Sequence, residues 1–343
     1  MPIAVFTLAT LTPALFLALG AVFGGPWLLI ALIHVTLFAF LMDRLVAILP
    51  GEGDEFPAGD GLLVALGLSQ LALLPLGVWA LATQLSGLQW LAGLLAFGLW
   101  LGQIGNAAAH ELIHRRDRAL CRLGRWMFVS ILFGHHVSAH RLVHHPHVAS
   151  PGDPNSPRRG QSYYGFLPRA WIGSFRAGLA AERALLARQT RGRRRMNPYI
   201  VYIGGALAFM ALALATLGGK GLAVYLALAL HAQSQMLMSD YVQHYGLRRQ
   251  RRVDGRLEPV NAAHSWNSGQ WFSAAMMLNA PRHSDHHAHP ARPFPQLRLP
   301  QGAPMLPAPL PAMAIVALVP PWWRRVMDPR VTEVQNARRI ASA

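Results

Sequence analysis

LQWLAGLLAFGLWLGQIGNAAAHELIH, residues 88–114, decides how the chain must be read. From Leu88 to Ala109 no side chain is charged, and a helix of that length crosses a hydrocarbon core of about 30 Å. The run then closes on two histidines four residues apart, His110 and His114. On a helix these project from one face, about 40° apart, so that one metal region can lie between them. The stretch therefore reads as a membrane span with ligand chemistry at its end.

Similar charge-free runs fill much of the chain. Ile3 to Phe23 and Pro26 to Met42 pair across Gly24-Gly25, and Leu62 to Thr83 pairs with the 88–109 run across Gln84, Ser86 and Gly87. After Asn197-Pro198 come Tyr199 to Leu217 and Leu222 to Ser239. The expected fold is all-α: a polytopic membrane protein with six transmembrane helices in three hairpins. Composition agrees, with 53% hydrophobic and 13% charged residues and a mean hydropathy of +0.28, whereas soluble domains are nearer a quarter charged. The opening run has no basic residue before it and a second span directly after it, so it reads as a retained anchor rather than a signal peptide. A single cysteine, Cys121, excludes a disulfide scaffold, a thiolate zinc site and cysteine-held iron–sulfur clusters.

The formal charge is +16, yet the aromatics lie in apolar runs and no nucleic-acid motif is present. The arginines between Arg115 and Arg195, and those from Arg248 to Arg256, mark the cytoplasmic side of an inner-membrane protein. With an even number of spans both termini fall on that face, as does the acidic Gly51 to Asp60 linker. The tail turns apolar from Met313 to Val319 and ends in Trp322-Trp323-Arg324-Arg325, which fits an interfacial segment.

Sixteen histidines cluster rather than scatter. His140, His144 and His145 repeat the spacing of His110 and His114; His283, His286 and His287 repeat it with one residue fewer; His244 follows the sixth expected span. Nine imidazoles thus converge at one membrane face. His34 and His231 sit in apolar runs and read as packed residues; His135, His136, His147 and His289 flank the clusters without adding to their spacing. A tetrahedral zinc ion takes about four ligands, so nine suit two ions of higher coordination, and iron is the metal whose open positions activate dioxygen. Glu111, Asp153, Asp240 and Asp285 are placed to orient the rings. His110-Glu111-Leu112-Ile113-His114 also matches the His-Glu-x-x-His pattern of zinc proteases, with Glu111 as general base. That reading leaves the other histidine clusters unexplained.

These boxes resemble those of the integral-membrane histidine-box di-iron enzymes: fatty acyl desaturases, sterol hydroxylases and alkane hydroxylases. His283-Ser284-Asp285-His286-His287-Ala288-His289-Pro290 is similar to the signature box of bacterial alkane 1-monooxygenases. So are Ala109 to His114, Tyr241-Val242-Gln243-His244-Tyr245-Gly246-Leu247 and His264-Ser265-Trp266-Asn267-Ser268, and the likeness runs from about Asn106 to Leu297. The resemblance implies that the nine clustered histidines hold two iron ions, with His264 near them, under a cytoplasmic cap. It implies O2 as co-substrate and electrons from a rubredoxin or ferredoxin with an NAD(P)H-dependent reductase. The expected reaction is oxygen insertion into a terminal C–H bond of an apolar substrate drawn from the bilayer. Gln243 stands where alkane hydroxylases carry Glu and is similar to the xylene-type monooxygenases, and Asn279-Ala280-Pro281 also departs from the alkane pattern. A xylene-type methyl hydroxylase and an acyl desaturase remain open beside the alkane reading. Phe97, Trp100 and Leu101 are candidate channel liners, with helix packing the favoured role. The chain divides into 1–109 (four spans), 110–196 (the first two boxes), 197–240 (two spans) and 241–343 (His244, the third box and the tail).

Overall fold

The computed structural model describes residues 1–46, 56–188 and 196–342. The Gly51 to Glu55 part of the acidic linker and the arginines of 191–195 lie outside the described residues. Among the described residues the protein is helical apart from two isolated β-bridges, Arg251 with Leu257 and Asn267 with Met305.

Among the described residues, five helices are long and apolar enough to cross a membrane: α1 (Ile3–Phe23), α2 (Trp27–Leu45), α3 (Asp60–Thr83), α4 (Gly87–His114) and, later in the chain, Tyr199–His244. Between α4 and the last of these lie α5 (Arg118–Ser130), α6 (136–147) and α7 (Tyr163–Ala187). Tyr199–His244 is α8, 46 residues long. A straight helix of that length spans about 70 Å, more than twice a hydrocarbon core. Gly218 interrupts it at φ 65, ψ −164, a conformation open to a residue without a Cβ. Short helices follow: α9 (Trp271–Met276), α10 (His283–Ala288), α11 (Leu310–Ala317) and the longer α12 (Pro320–Ser342).

Polar side chains between the long helices stitch α5 and its following turn to them. Gln70 Nε2 donates to the Met127 carbonyl at 2.9 Å, Gln233 Nε2 to Ile131 at 2.7 Å, and the Tyr225 hydroxyl to Ser130 at 2.7 Å. Each bond satisfies a carbonyl that lipid could not. The start of α5 is fixed by Asp117, whose carboxylate accepts the N–H groups of Ala119 and Leu120. α4 and α8 approach so closely that a Cβ on Gly102 would meet Gln235 Cβ at 2.6 Å. The apolar tail forms α11, eight residues and too short to cross. Behind it α12 buries Trp323 against Tyr241 and Tyr245, ring centroids 5.3 and 5.2 Å away. Ile315, Leu318, Val319 and Trp322 stay exposed.

Candidate metal centre

The nine histidines singled out by spacing come together in two groups. His110, His114, His140, His145 and His286 form one; His144, His244, His283 and His287 form the other. Within each, one ring nitrogen per residue lies within 4.8 Å of all the rest. Neighbouring histidines divide between the groups: His144 and His145 part, and so do His286 and His287.

Local backbone explains the sorting. His110 and His114 end α4 one helical turn apart and share a group. In α6 the turn His140–His144 is π-helical, and the His145 N–H bonds the His140 carbonyl. Five residues then complete a turn, so His140 pairs with His145, their Nε2 atoms 2.9 Å apart, rather than with His144. α10 is regular, and its i,i+4 pair His283 and His287 meets at 3.1 Å. His244 ends α8 and reaches His283 at 3.0 Å.

These separations carry chemical information. His110 Nε2 lies 2.8 Å from His140 Nε2, and His286 Nε2 lies 3.2 Å from His145 Nε2. Two nitrogens bound at roughly 2.1 Å to one cation and at right angles stand about 3.0 Å apart. An imidazole lone pair converging on others has no favourable partner except a cation. His144 Nε2 is buried with no hydrogen-bond partner among the described residues, which fits the same reading. The residues therefore suit a pair of metal ions held by imidazole.

Burial, reinforced by repulsion between adjacent rings, drives His140, His145, His283, His286 and His287 well below the ordinary histidine value. They stay neutral, the form that ligates. His144 differs: burial lowers it, but the Asp153 carboxylate outweighs that effect and holds it above its usual value. Asp153 Oδ2 lies 2.9 Å from His144 Nδ1 and also accepts from Ser156 Oγ at 2.6 Å.

Among the described residues Asp153 is the one expected carboxylate that meets a ring of either group. Glu111 Oε2 accepts the Phe294 N–H at 3.1 Å and lies 3.8 Å from Arg115, turned from the histidines. Asp240 accepts from Asn155 Nδ2 at 2.6 Å, so it supports the 153–156 turn. Asp285 engages Arg292, His289 and the Arg298 N–H, fixing the chain after α10. His264 acts through its backbone: its carbonyl lies 3.2 Å from His244 Nδ1, while its ring is held by Glu258 at 3.0 Å.

Spacing alone missed Asn267 and Glu258. The Asn267 amide donates to Ser284 Oγ and to the Ser265 and Pro304 carbonyls, and its Oδ1 accepts the Ser284 N–H at 2.9 Å. It thus staples the 264–268 segment to the start of α10. Glu258 ties His264 to Arg338 of α12.

A cleft opens beside both groups, bounded by His110, His140, His283, Met236, Leu310 and Gln243. Phe97, Trp100 and Leu101 are not among its walls and are fully buried. Trp100 Nε1 donates to the Thr10 carbonyl at 3.0 Å, and a Cβ on Gly77 would meet Phe97 at 2.8 Å. They pack helices together, the favoured of the two expected roles.

A family model described as fatty acid desaturase matches residues 88–312. Alkane 1-monooxygenase 1 of Pseudomonas aeruginosa is 34% identical over 298 residues, covering 82% of this chain and 76% of that protein. Alkane 1-monooxygenase 2 of the same organism is 33% identical over 319 residues, 89% of this chain and 84% of that one. The hydroxylase component of xylene/toluene monooxygenase from Pseudomonas putida is 28% identical over 235 residues, 68% of this chain and 62% of that one. The family match contains both histidine groups in full, and on it the chain belongs to the fatty acid desaturase family.

Proposed function

We propose that this membrane oxidoreductase is a di-iron hydroxylase of the alkane 1-monooxygenase type, inserting one oxygen atom of O2 into a terminal C–H bond of an apolar substrate. The observation that carries the reading is the sorting of nine histidines into groups of five and four, with each histidine doublet giving one ring to each group. His110, His114, His140, His145 and His286 are the ligands of one iron, and His144, His244, His283 and His287 those of the other. When bound, the two ions supply dioxygen activation and the redox equivalents that C–H hydroxylation needs.

The chain's own residues hold and orient. Asp153 accepts the Nδ1–H of His144, which leaves Nε2 as the lone pair turned to the centre. The His264 carbonyl does the same for His244. Met236, Leu310 and neighbouring residues of the cleft hold a carbon chain beside His110, His140 and His283 and keep bulk water from it.

Six spans follow if the break at Gly218 separates two crossings. Both termini and the centre then lie on the cytoplasmic face of the inner membrane, where rubredoxin or ferredoxin, reduced by an NAD(P)H-dependent reductase, delivers electrons. A xylene-type substrate is the second reading, favoured by Gln243 at the cleft wall.

The test is metal analysis of purified protein followed by turnover of octane, hexadecane and a xylene under labelled dioxygen with a reductase system. Two irons per chain and label in a primary alcohol are expected. An unlabelled olefin would make it a desaturase; one zinc without oxygen uptake would overturn the reading.

A further inference from the structure

The cleft beneath the histidines is not uniformly apolar. Two amides of α4, Gln103 and Asn106, line it together with Gln235, Ser239, Asp240 and Gln243. Most of these polar groups are occupied by the protein itself. Gln243 accepts from Ser239 Oγ at 2.7 Å and donates to the Ala280 carbonyl at 3.1 Å, and Asp240 is held by Asn155. Gln103 Oε1 and Asn106 Oδ1 are different: both are buried and neither has a hydrogen-bond partner among the described residues.

Their position is set by the helix. Asn106 lies one turn before His110, about 6 Å along the axis, and Gln103 lies about 10 Å before it. Gln103 belongs to the π-helical turn Trp100–Gly105, an irregularity that re-aims side chains and recurs at functional sites. Met236, Met238, Leu310 and Ala314 supply apolar walls to the same cleft. A plain hydrocarbon filling this space would leave both amide oxygens buried and unpaired, an arrangement folded proteins avoid. A hydroxyl several carbons from the reacting carbon would donate its one hydrogen to one of these oxygens and accept an N–H from the other amide, and its chain would still use the apolar walls.

We infer that the cleft is built for an amphiphilic chain, such as a medium-length aliphatic alcohol, whose hydroxyl is held by Gln103 and Asn106 while its far methyl lies under the histidines. The inference rests on the hydroxylase reading and narrows its substrate class. Sites that hydrogen-bond a substrate hydroxyl discriminate strongly against the analogue lacking it.

The test compares n-octane with 1-octanol using the full-length, iron-loaded protein and its reductase system, with 1,8-octanediol quantified by mass spectrometry. 1-Octanol, oxidised at its far methyl, is expected to exceed octane in kcat/KM by about tenfold or more. The Gln103→Met, Asn106→Leu double variant should bring the ratio to within about threefold of unity, while the amide-preserving Asn106→Gln variant keeps the preference. Iron content and melting temperature report whether each variant is folded. Parity in the unmodified protein, or a preference that survives in the folded double variant, overturns the inference, since water rather than substrate would then occupy the amides. If iron-loaded protein oxidises neither compound, the hydroxylase reading fails instead. Equilibrium binding of radiolabelled 1-octanol against octane then still reads the preference.

Discussion

His140 Nε2 and His145 Nε2 stand 2.9 Å apart although the two residues are five positions apart in the chain. In an α-helix residues five apart point about 140° from one another. The π-turn removes that divergence and sends His144, the natural i,i+4 partner of His140, into the second group.

The division of ligands makes metal content informative. Replacing His140 or His145 with Ala should empty the five-histidine group, and replacing His144 or His287 the four-histidine group, each lowering bound metal from about two ions per chain to about one. Turnover should vanish in all four. His34→Ala is the control: that ring packs against Phe38 and Phe272, centroids 5.3 and 5.8 Å away, so metal content should not change. Elemental analysis of purified variants checks this. Equal loss of both metals in every variant would show one shared site.

Asp153 is the carboxylate to remove. Asp153→Asn keeps an acceptor at His144 Nδ1 but loses the charge that raises that ring, and it disturbs the bond from Ser156. Partners that orient a ligand in this way are worth about 10- to 100-fold in metal affinity. A chelator competition assay should find a loss of that size, with far less effect from Asp285→Asn, whose contacts lie away from both groups.

The spans were legible from Leu88 to Ala109 and its counterparts because lipid demands unbroken apolar length, a property read along the chain. Which nine histidines gather was legible from spacing for the same kind of reason. Their allocation was not, since the α6 sequence carries no mark of a π-turn and an α-helical reading pairs His140 with His144. Closeness in the chain did not make the carboxylate roles legible: Asp153 meets a clustered ring nine residues away, whereas Glu111, Asp240 and Asp285, each within four residues of a clustered histidine, meet none. Glu111 and Asp285 were drawn elsewhere by Phe294, Arg292 and Arg298, partners set by tertiary packing.

Acid should weaken the metal-free protein. His140, His145, His283, His286 and His287 are held well below the ordinary value of 6.5, chiefly by burial. In the unfolded chain they take up protons near pH 6.5, and in the folded chain only at much lower pH. Their neutral state costs nothing above that range, and stability falls as pH drops from 7 toward 5, by up to about 1.4 kcal/mol per pH unit for each histidine. His144, raised by Asp153, opposes with the contrary sign, so the net slope remains a loss on acidification. Thermal melts of chelator-treated protein at pH 7, 6 and 5 measure it; an unchanged melting temperature contradicts the burial of neutral rings.

Asn267→Ala should loosen the third box without touching a histidine directly. It deletes the acceptor of the Ser284 N–H and the donor to two carbonyls in a fully buried site. Unsatisfied buried groups cost about 1–3 kcal/mol each. A lower melting temperature is expected, with metal lost first from the group containing His283 and His287. A variant as stable as the parent would mean the segment is held by other contacts.

Glu111 separates the hydroxylase from the zinc-protease reading. A general base contributes typically 10²- to 10⁴-fold, so a protease would lose nearly all activity in Glu111→Gln. Here the carboxylate faces the Phe294 N–H and Arg115, and Arg115 also has Asp60 at 3.0 Å. Glutamine retains an oxygen for the Phe294 N–H, so hydroxylation by Glu111→Gln should stay within about threefold of the parent. Glu111→Leu removes the acceptor and strands a buried N–H, costing about 1–3 kcal/mol of stability. The expected pattern is therefore graded in melting temperature, Gln above Leu. A collapse of turnover in a Gln variant that melts like the parent would place Glu111 in the chemistry.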